Sequence, residues 1–132
     1  MSLQKVLATI LVADDEPFLR ELVRTTVESD TRNIVEAADG DEAWALIKKH
    51  QPALVLLDVR MPGLNGLQLV KAIRADPELA GTRVILIAAS AHESDRDAGM
   101  AAGADFYVTK PFSPAELLAL VEAAMARSRL VA

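Results

Sequence analysis

Four residues of this chain have types and settings that suit chemistry: the acidic pair Asp14-Asp15, Asp58 and Lys110. Each follows a short apolar run. Val6-Leu7-Ala8-Thr9-Ile10-Leu11-Val12 leads to the pair, Leu54-Val55-Leu56-Leu57 to Asp58, and Phe106-Tyr107-Val108-Thr109 to Lys110. Unbroken apolar runs of this length read as strands buried on both faces, the habit of parallel sheets covered by helices. In a parallel sheet every strand's C-terminal end points to one edge, where open α/β folds put their ligands. Three carboxylates would then converge beside one ammonium. Two carboxylates about 4 to 5 Å apart repel by roughly 3 to 4 kcal/mol at an effective dielectric of 20, and a cation between them removes that cost. Magnesium suits such a donor set, because it prefers oxygen, keeps several waters and takes one or two carboxylates plus a phosphate oxygen. A metal between Asp15 and Asp58 would shield an incoming phosphoryl group, leaving Asp58 to attack as nucleophile and Lys110 to pair with the transferred anion.

The elements that must position these residues alternate along the chain. A first strand runs to Ala13, and Pro17 opens a helix in which Phe18, Leu19, Leu22, Val23 and Val27 recur at helical spacing, to about Ser29. Asn33 to Ala37 reads as a second strand, and Asp39-Gly40 turns the chain into a second helix with Ala43, Leu46 and Ile47 inward. The Asp58 strand ends in Met61-Pro62-Gly63-Leu64-Asn65-Gly66, a turn-forming loop, before a third helix carrying Leu67, Val70 and Ile73 and closing near Pro77. Val84 to Ala88 is a fourth apolar strand, Asp95 to Ala102 a short polar helix stopped by Gly103, and Phe106 to Thr109 the fifth strand. Ser113, Pro114 and Glu116 read as a capping-box start, with Phe112 and Leu117 as its hydrophobic staple. The last helix, to about Ser128, has a wide apolar face of Leu117, Leu118, Leu120, Val121 and Met125. Strands alternating with helices predict a parallel five-stranded sheet with helices on both faces.

Composition bounds the rest. At 132 residues the chain is the size of one domain, and 52% hydrophobic with 25% charged residues argues against disorder. It has no cysteine, which excludes a disulfide scaffold and a thiolate metal site. The sequence has neither an apolar run of membrane-spanning length nor a secretion signal, so the expectation is a cytoplasmic protein with no membrane partner. A net charge of −5 repels phosphate backbones, so no direct nucleic-acid contact is expected of this domain. His50 and His92 sit in connections without metal-ligand spacing, and Trp44 reads as packing rather than a ligand contact.

Taken singly, Asp14 and Asp15 are better read as helix caps. Together, Asp14-Asp15, Asp58 with Met61-Pro62 and Gly66, and Lys110-Pro111-Phe112 resemble the receiver domain of bacterial two-component response regulators, over essentially the whole chain. The resemblance implies one flavodoxin-like, doubly wound α/β domain spanning 1–132, with a core of about 5–128 and strand order 2-1-3-4-5. It also implies a phosphoacceptor at Asp58, charged by a sensor histidine kinase or phosphotransfer protein and not acting as a turnover enzyme. By the same resemblance Mg2+ is held by Asp15, Asp58 and the backbone carbonyl of Arg60, with Asp14 acting through a metal-bound water. Lys110 stabilises the phosphoryl group, the Lys110-Pro111 peptide is cis, and Arg60 and Ser90 tune dephosphorylation.

One family position departs from the pattern. Receivers usually carry Thr or Ser at the end of strand four, and here that residue is Ala88. A hydrogen bond to a charged group is worth about 1.5 to 3 kcal/mol, and reversing a two-state equilibrium from 1:99 to 99:1 takes about 5.5. Its loss leaves Asp58 able to accept phosphate while removing much of the drive for switching. Tyr107, at the family's aromatic switch position, reads equally as a strand residue with a satisfied hydroxyl. Leu120 and Phe106 stand where dimerising relatives tend to carry a basic and an acidic residue, which points to a monomer or weak dimer that signals to a downstream protein or output domain. The rival expectation is a receiver-like interaction module that works without phosphorylation, and a phosphate-ester hydrolase with an Asp nucleophile is a more distant third.

Overall fold

The computed structural model describes residues 7–127. Five strands alternate with five helices: β1 (Ala8–Ala13), α1 (Pro17–Val27), β2 (Arg32–Ala37), α2 (Gly40–His50), β3 (Leu54–Asp58), α3 (Gly66–Ala75), β4 (Arg83–Ala88), α4 (Glu93–Ala102), β5 (Phe106–Thr109) and α5 (Pro114–Ala126). The strands form one parallel sheet in the order β2-β1-β3-β4-β5. This is the doubly wound α/β architecture expected from the sequence. Alternate side chains go to opposite faces, as the period of two demands. Leu11, Ala13, Val55, Leu57 and Leu86 pack with Ala43 and Ile47 of α2 and Leu69, Val70 and Ile73 of α3. Ile10, Val12, Leu54, Leu56 and Ile85 pack with Val23 and Val27 of α1 and Leu117, Val121 and Ala124 of α5. No helix among the described residues is long and apolar enough to cross a membrane.

The structure departs from the sequence expectations where an apolar side chain has no second layer to enter. Phe18 is 82% exposed and Leu22 also faces outward. Val23 and Val27, one turn apart, carry the buried face of α1 instead, with Leu19 partly buried beside them. In α5 the inward stripe is Leu117, Val121 and Ala124, while Leu118 is only half-buried. Helix α4 begins at Glu93, two residues before the expected start, and buries only Gly99 fully. α3 ends at Ala75, and Pro77–Leu79 forms a single 3₁₀ turn capped by Asp76. The first strand starts at Ala8, with Lys5 and Val6, like Ser128 at the other end, outside the described residues. Ser113 caps α5 by accepting the Glu116 N–H at 3.0 Å, and the reciprocal capping box is at α3, between Asn65 and Gln68.

The N-terminal edge of the sheet is held by a buried ion pair. Asp105 accepts from the Val84 N–H at 2.8 Å and from Arg74 Nη2 at 3.1 Å, while Arg74 also donates to the carbonyls of Gly103 and Thr82. One guanidinium thus ties the end of α3 to the start of β4 and to the turn before β5. Removing the carboxylate takes a counter-charge from the guanidinium, which keeps its carbonyl partners, and the acceptor from the Val84 N–H, and breaking a buried pair in this way costs about 3 to 5 kcal/mol. Asp105→Ala is therefore expected to lower the urea-unfolding free energy by about 3 kcal/mol or more.

Candidate functional site

The strand register brings the chemical residues to the C-terminal edge. Ala13 of β1 pairs with Leu57, so Asp14 and Asp15 leave the sheet beside Asp58. Asp58 pairs with Ile87 of β4, and Ala88 with Thr109, so Lys110 emerges one strand further on. Carboxylate oxygens of Asp14, Asp15 and Asp58 lie within 4.8 Å of one another. Asp58 is buried to 4% exposure, with Oδ1 accepting the Arg60 N–H at 2.9 Å and Oδ2 accepting from Lys110 Nζ at 2.6 Å. A cleft of about 220 Å³ lined by Asp15, Glu16, Asp58, Arg60, Ala89 and Lys110 opens above them. The Lys110-Pro111 peptide is cis. Burial pulls the Lys110 ammonium pKa down, but the hydrogen bond to Asp58 and the charges of Asp58, Asp14 and Glu16 outweigh it and hold the pKa above the ordinary lysine value.

Asp14 is the most confined of the three acids, at 1% exposure. Its Oδ1 accepts the Glu16 N–H at 2.9 Å, whereas Oδ2 is buried without a hydrogen-bond partner among the described residues. Burial first, and then the charge of Asp58, raise its pKa from 3.8 to about 6 against the lowering effect of the Glu16 N–H and Lys110. An unpartnered buried oxygen facing two other carboxylates is the donor set a hard divalent cation takes, so the residues present fit Mg2+.

Beside this cluster, Ala88 closes β4 with a methyl group at 3% exposure. The Ser90 hydroxyl is bonded to the Asp95 carboxylate and accepts from the His92 N–H, so it does not stand in for the absent Ala88 hydroxyl. Tyr107 is buried, its hydroxyl donating to the Ser90 carbonyl at 2.8 Å, with the Arg96 guanidinium 5.4 Å from the ring centroid. Burial raises the Tyr107 pKa. Gly99 of α4 sits against the ring, where an added Cβ would lie 3.2 Å from Tyr107 Cδ2.

Glu16 and Ala89, which line the cleft, carried no functional expectation from sequence; adjacency to Asp15 and Ala88 was the available signal. The exposed Phe18 was likewise missed as a surface feature. It stands on α1 one residue before Leu19, which with Leu22, Lys110, Pro111 and Phe112 lines an apolar hollow of about 350 Å³ beside the acidic cleft.

Residues 10–122 match the family described as the response regulator receiver domain. The chain belongs to that family. This receiver is 39% identical over 120 residues to the response regulator GtcR of Aneurinibacillus migulanus, covering 91% of the chain and 48% of GtcR. It is 40% identical over 118 residues to the phosphate regulon transcriptional regulatory protein PhoB of Escherichia coli K12, covering 89% and 52%. The receiver thus spans about half the length of these curated relatives. Its fold is shared by the signal receiver domain of the putative response regulator NarL of Mycobacterium tuberculosis, with a TM-score of 0.83, 37% identity and coverage of 92% and 99%.

The Asp14 shift has a consequence for stability. Between pH 3.8 and about 6 the folded receiver holds a proton on Asp14 that the unfolded chain has released, so this group's contribution falls as pH rises through that window. A shift of this size is worth on the order of 3 kcal/mol at neutral pH. Asp14→Asn keeps an acceptor for the Glu16 N–H and removes the charge. In EDTA at pH 7 it is expected to raise the urea-unfolding free energy by about 1 to 3 kcal/mol, with the gain vanishing near pH 4.

Proposed function

We propose that this receiver accepts a phosphoryl group on Asp58 from a phosphohistidine of a sensor kinase or phosphotransfer protein, in a Mg2+-dependent reaction. The observation that carries the reading is the convergence of three carboxylates within 4.8 Å, one of them paired with Lys110 at 2.6 Å. Asp15, Asp58 and the Arg60 carbonyl would hold the metal, with Asp14 reached through a coordinated water. Bound there, Mg2+ supplies Lewis-acid neutralisation of the phosphoryl oxygens.

The chain's own groups do the rest. The Arg60 N–H fixes the Asp58 carboxylate, and burial strips it of competing water. A carboxylate oxygen of Asp58 bonds to phosphorus as the P–N bond to the donor imidazole breaks, and the imidazole keeps that electron pair. Lys110, charged at neutral pH, moves from carboxylate to phosphoryl oxygen and pairs with the new anion without transferring a proton. The apolar hollow beside Lys110, lined by Leu19, Leu22, Pro111 and Phe112, offers a protein donor a surface that a small donor does not need. The chain acts as a phosphoacceptor rather than a turnover enzyme, in the cytoplasm. Its net charge of −5 leaves any contact with DNA to another domain or partner.

Ala88 favours a modified switch. With no hydroxyl at the end of β4, a phosphoryl group on Asp58 has no side chain there to pull on, while the Ser90 to Tyr107 unit is held by its own bonds. Arg60 and Ser90 tune the lifetime of the phosphorylated state.

Acetyl phosphate with Mg2+ is expected to produce a hydroxylamine-sensitive adduct that maps to Asp58 and is absent in Asp58→Asn. A wild-type chain that stays unlabelled would instead favour a module working without phosphorylation. Tyr107 is the sole tyrosine, so its ring resonances report the switch directly. Beryllofluoride with Mg2+ is expected to leave them nearly unmoved in the wild type and to shift them in Ala88→Thr, where a bond worth about 1.5 to 3 kcal/mol is restored.

A further inference from the structure

Gly40 opens α2, more than twenty residues before Pro62 and Leu64 of the β3-to-α3 loop, yet it is the tightest glycine contact among the described residues. Its N–H donates to the Pro62 carbonyl at 3.0 Å, and a Cβ built on it would lie 1.6 Å from Leu64 O, 2.5 Å from Leu64 C and 2.7 Å from Leu64 N. These neighbours are backbone, which cannot rotate away. Gly63, at φ 75°, faces the next residue of α2, and a Cβ there would lie 2.8 Å from Asp41 Oδ2. The loop clasped in this way is the one whose Arg60 peptide bonds Asp58 through its N–H, and it closes where the Gly66 N–H meets the Val59 carbonyl at 3.0 Å.

We propose that Gly40 is a positioning residue for the acidic site: the bare Cα lets α2 seat against the Pro62–Leu64 backbone and so sets the place of the Arg60 peptide. The inference rests on the reading of Asp15, Asp58 and the Arg60 carbonyl as the metal-binding set. A methyl at Gly40 must open a 1.6 Å approach to ordinary contact, and one side has to yield. α2 is anchored by the fully buried Ala43 and Ile47, whereas Pro62 and Gly63 are exposed and Leu64, which meets the methyl, is only half-buried, so the loop is the side that yields. Mg2+ demands near-octahedral geometry at about 2.0 to 2.1 Å and does not follow a ligand that is displaced.

The experiment measures Mg2+ affinity by calorimetry, the Arg60 amide resonance of the metal-free protein, and urea unfolding, on the full chain. Gly40→Ala is expected to weaken Mg2+ binding at least fivefold and to displace the Arg60 amide. Gly99→Ala supplies the control, since its Cβ would press on Leu86 Cδ1 at 2.9 Å in the core. It should lose stability while keeping its Mg2+ affinity within twofold of wild type. Should Gly40→Ala fail to fold, Asp39→Ala loosens the same first turn by removing the side-chain cap on the Glu42 N–H, and a weaker Mg2+ affinity with a shifted Arg60 amide is again expected. Wild-type affinity and an unmoved Arg60 amide in whichever of these two variants folds would overturn the proposal. A wild-type protein that binds no Mg2+ would instead overturn the metal reading, and this inference with it.

Discussion

Everything at the working edge of this receiver follows from placing like charges together where water is scarce. Asp14 and Asp58 are both nearly sealed, and the sheet register, not a flexible loop, decides their separation. Hydrophobic packing on both faces of the sheet bears the cost of that placement, because β1 and β3 cannot move apart without opening two cores at once. Lys110 offsets part of the repulsion and leaves an acidic hollow that remains short of positive charge. That deficit is what makes the donor set fit a divalent cation.

The loop after β3 and the loop after β4 stand on either side of this hollow with different degrees of constraint. The first is pinned by Gly40, by the Gly66 N–H and by the Arg60 N–H on Asp58. The second is held at a distance from the acids, through Ser90 to Asp95 and Tyr107, with Arg96 over the ring. Between them Ala88 contributes only a methyl group. The two loops thus rest on separate sets of bonds, and the strand end between them offers no hydroxyl to either.

Most of the fold was legible because burial on two faces writes itself as unbroken apolar runs, and β3 and β4 could hardly be read otherwise. Asp14, Asp58 and Lys110 were legible for the same reason, each being the charged residue at which such a run stops, and Asp15 as the second acid of the pair. What escaped was whatever depends on the second layer. The helical spacing of Phe18 and Leu22 is genuine, but α1 has only part of its circumference covered, and periodicity does not say how wide the covering is. The Gly40 contact escaped too, since a glycine before a helix is ordinarily a matter of local conformation and its neighbour here lies far along the chain.

The two edges of the sheet divide the labour. The brace of Arg74 on the Thr82 and Gly103 carbonyls sits at the end opposite to Asp58, so damage there leaves the acids in register in whatever molecules remain folded. In a cell, a lesion at the brace would deplete the pool of protein, whereas one at the acids would leave the pool full. An immunoblot would tell the two apart.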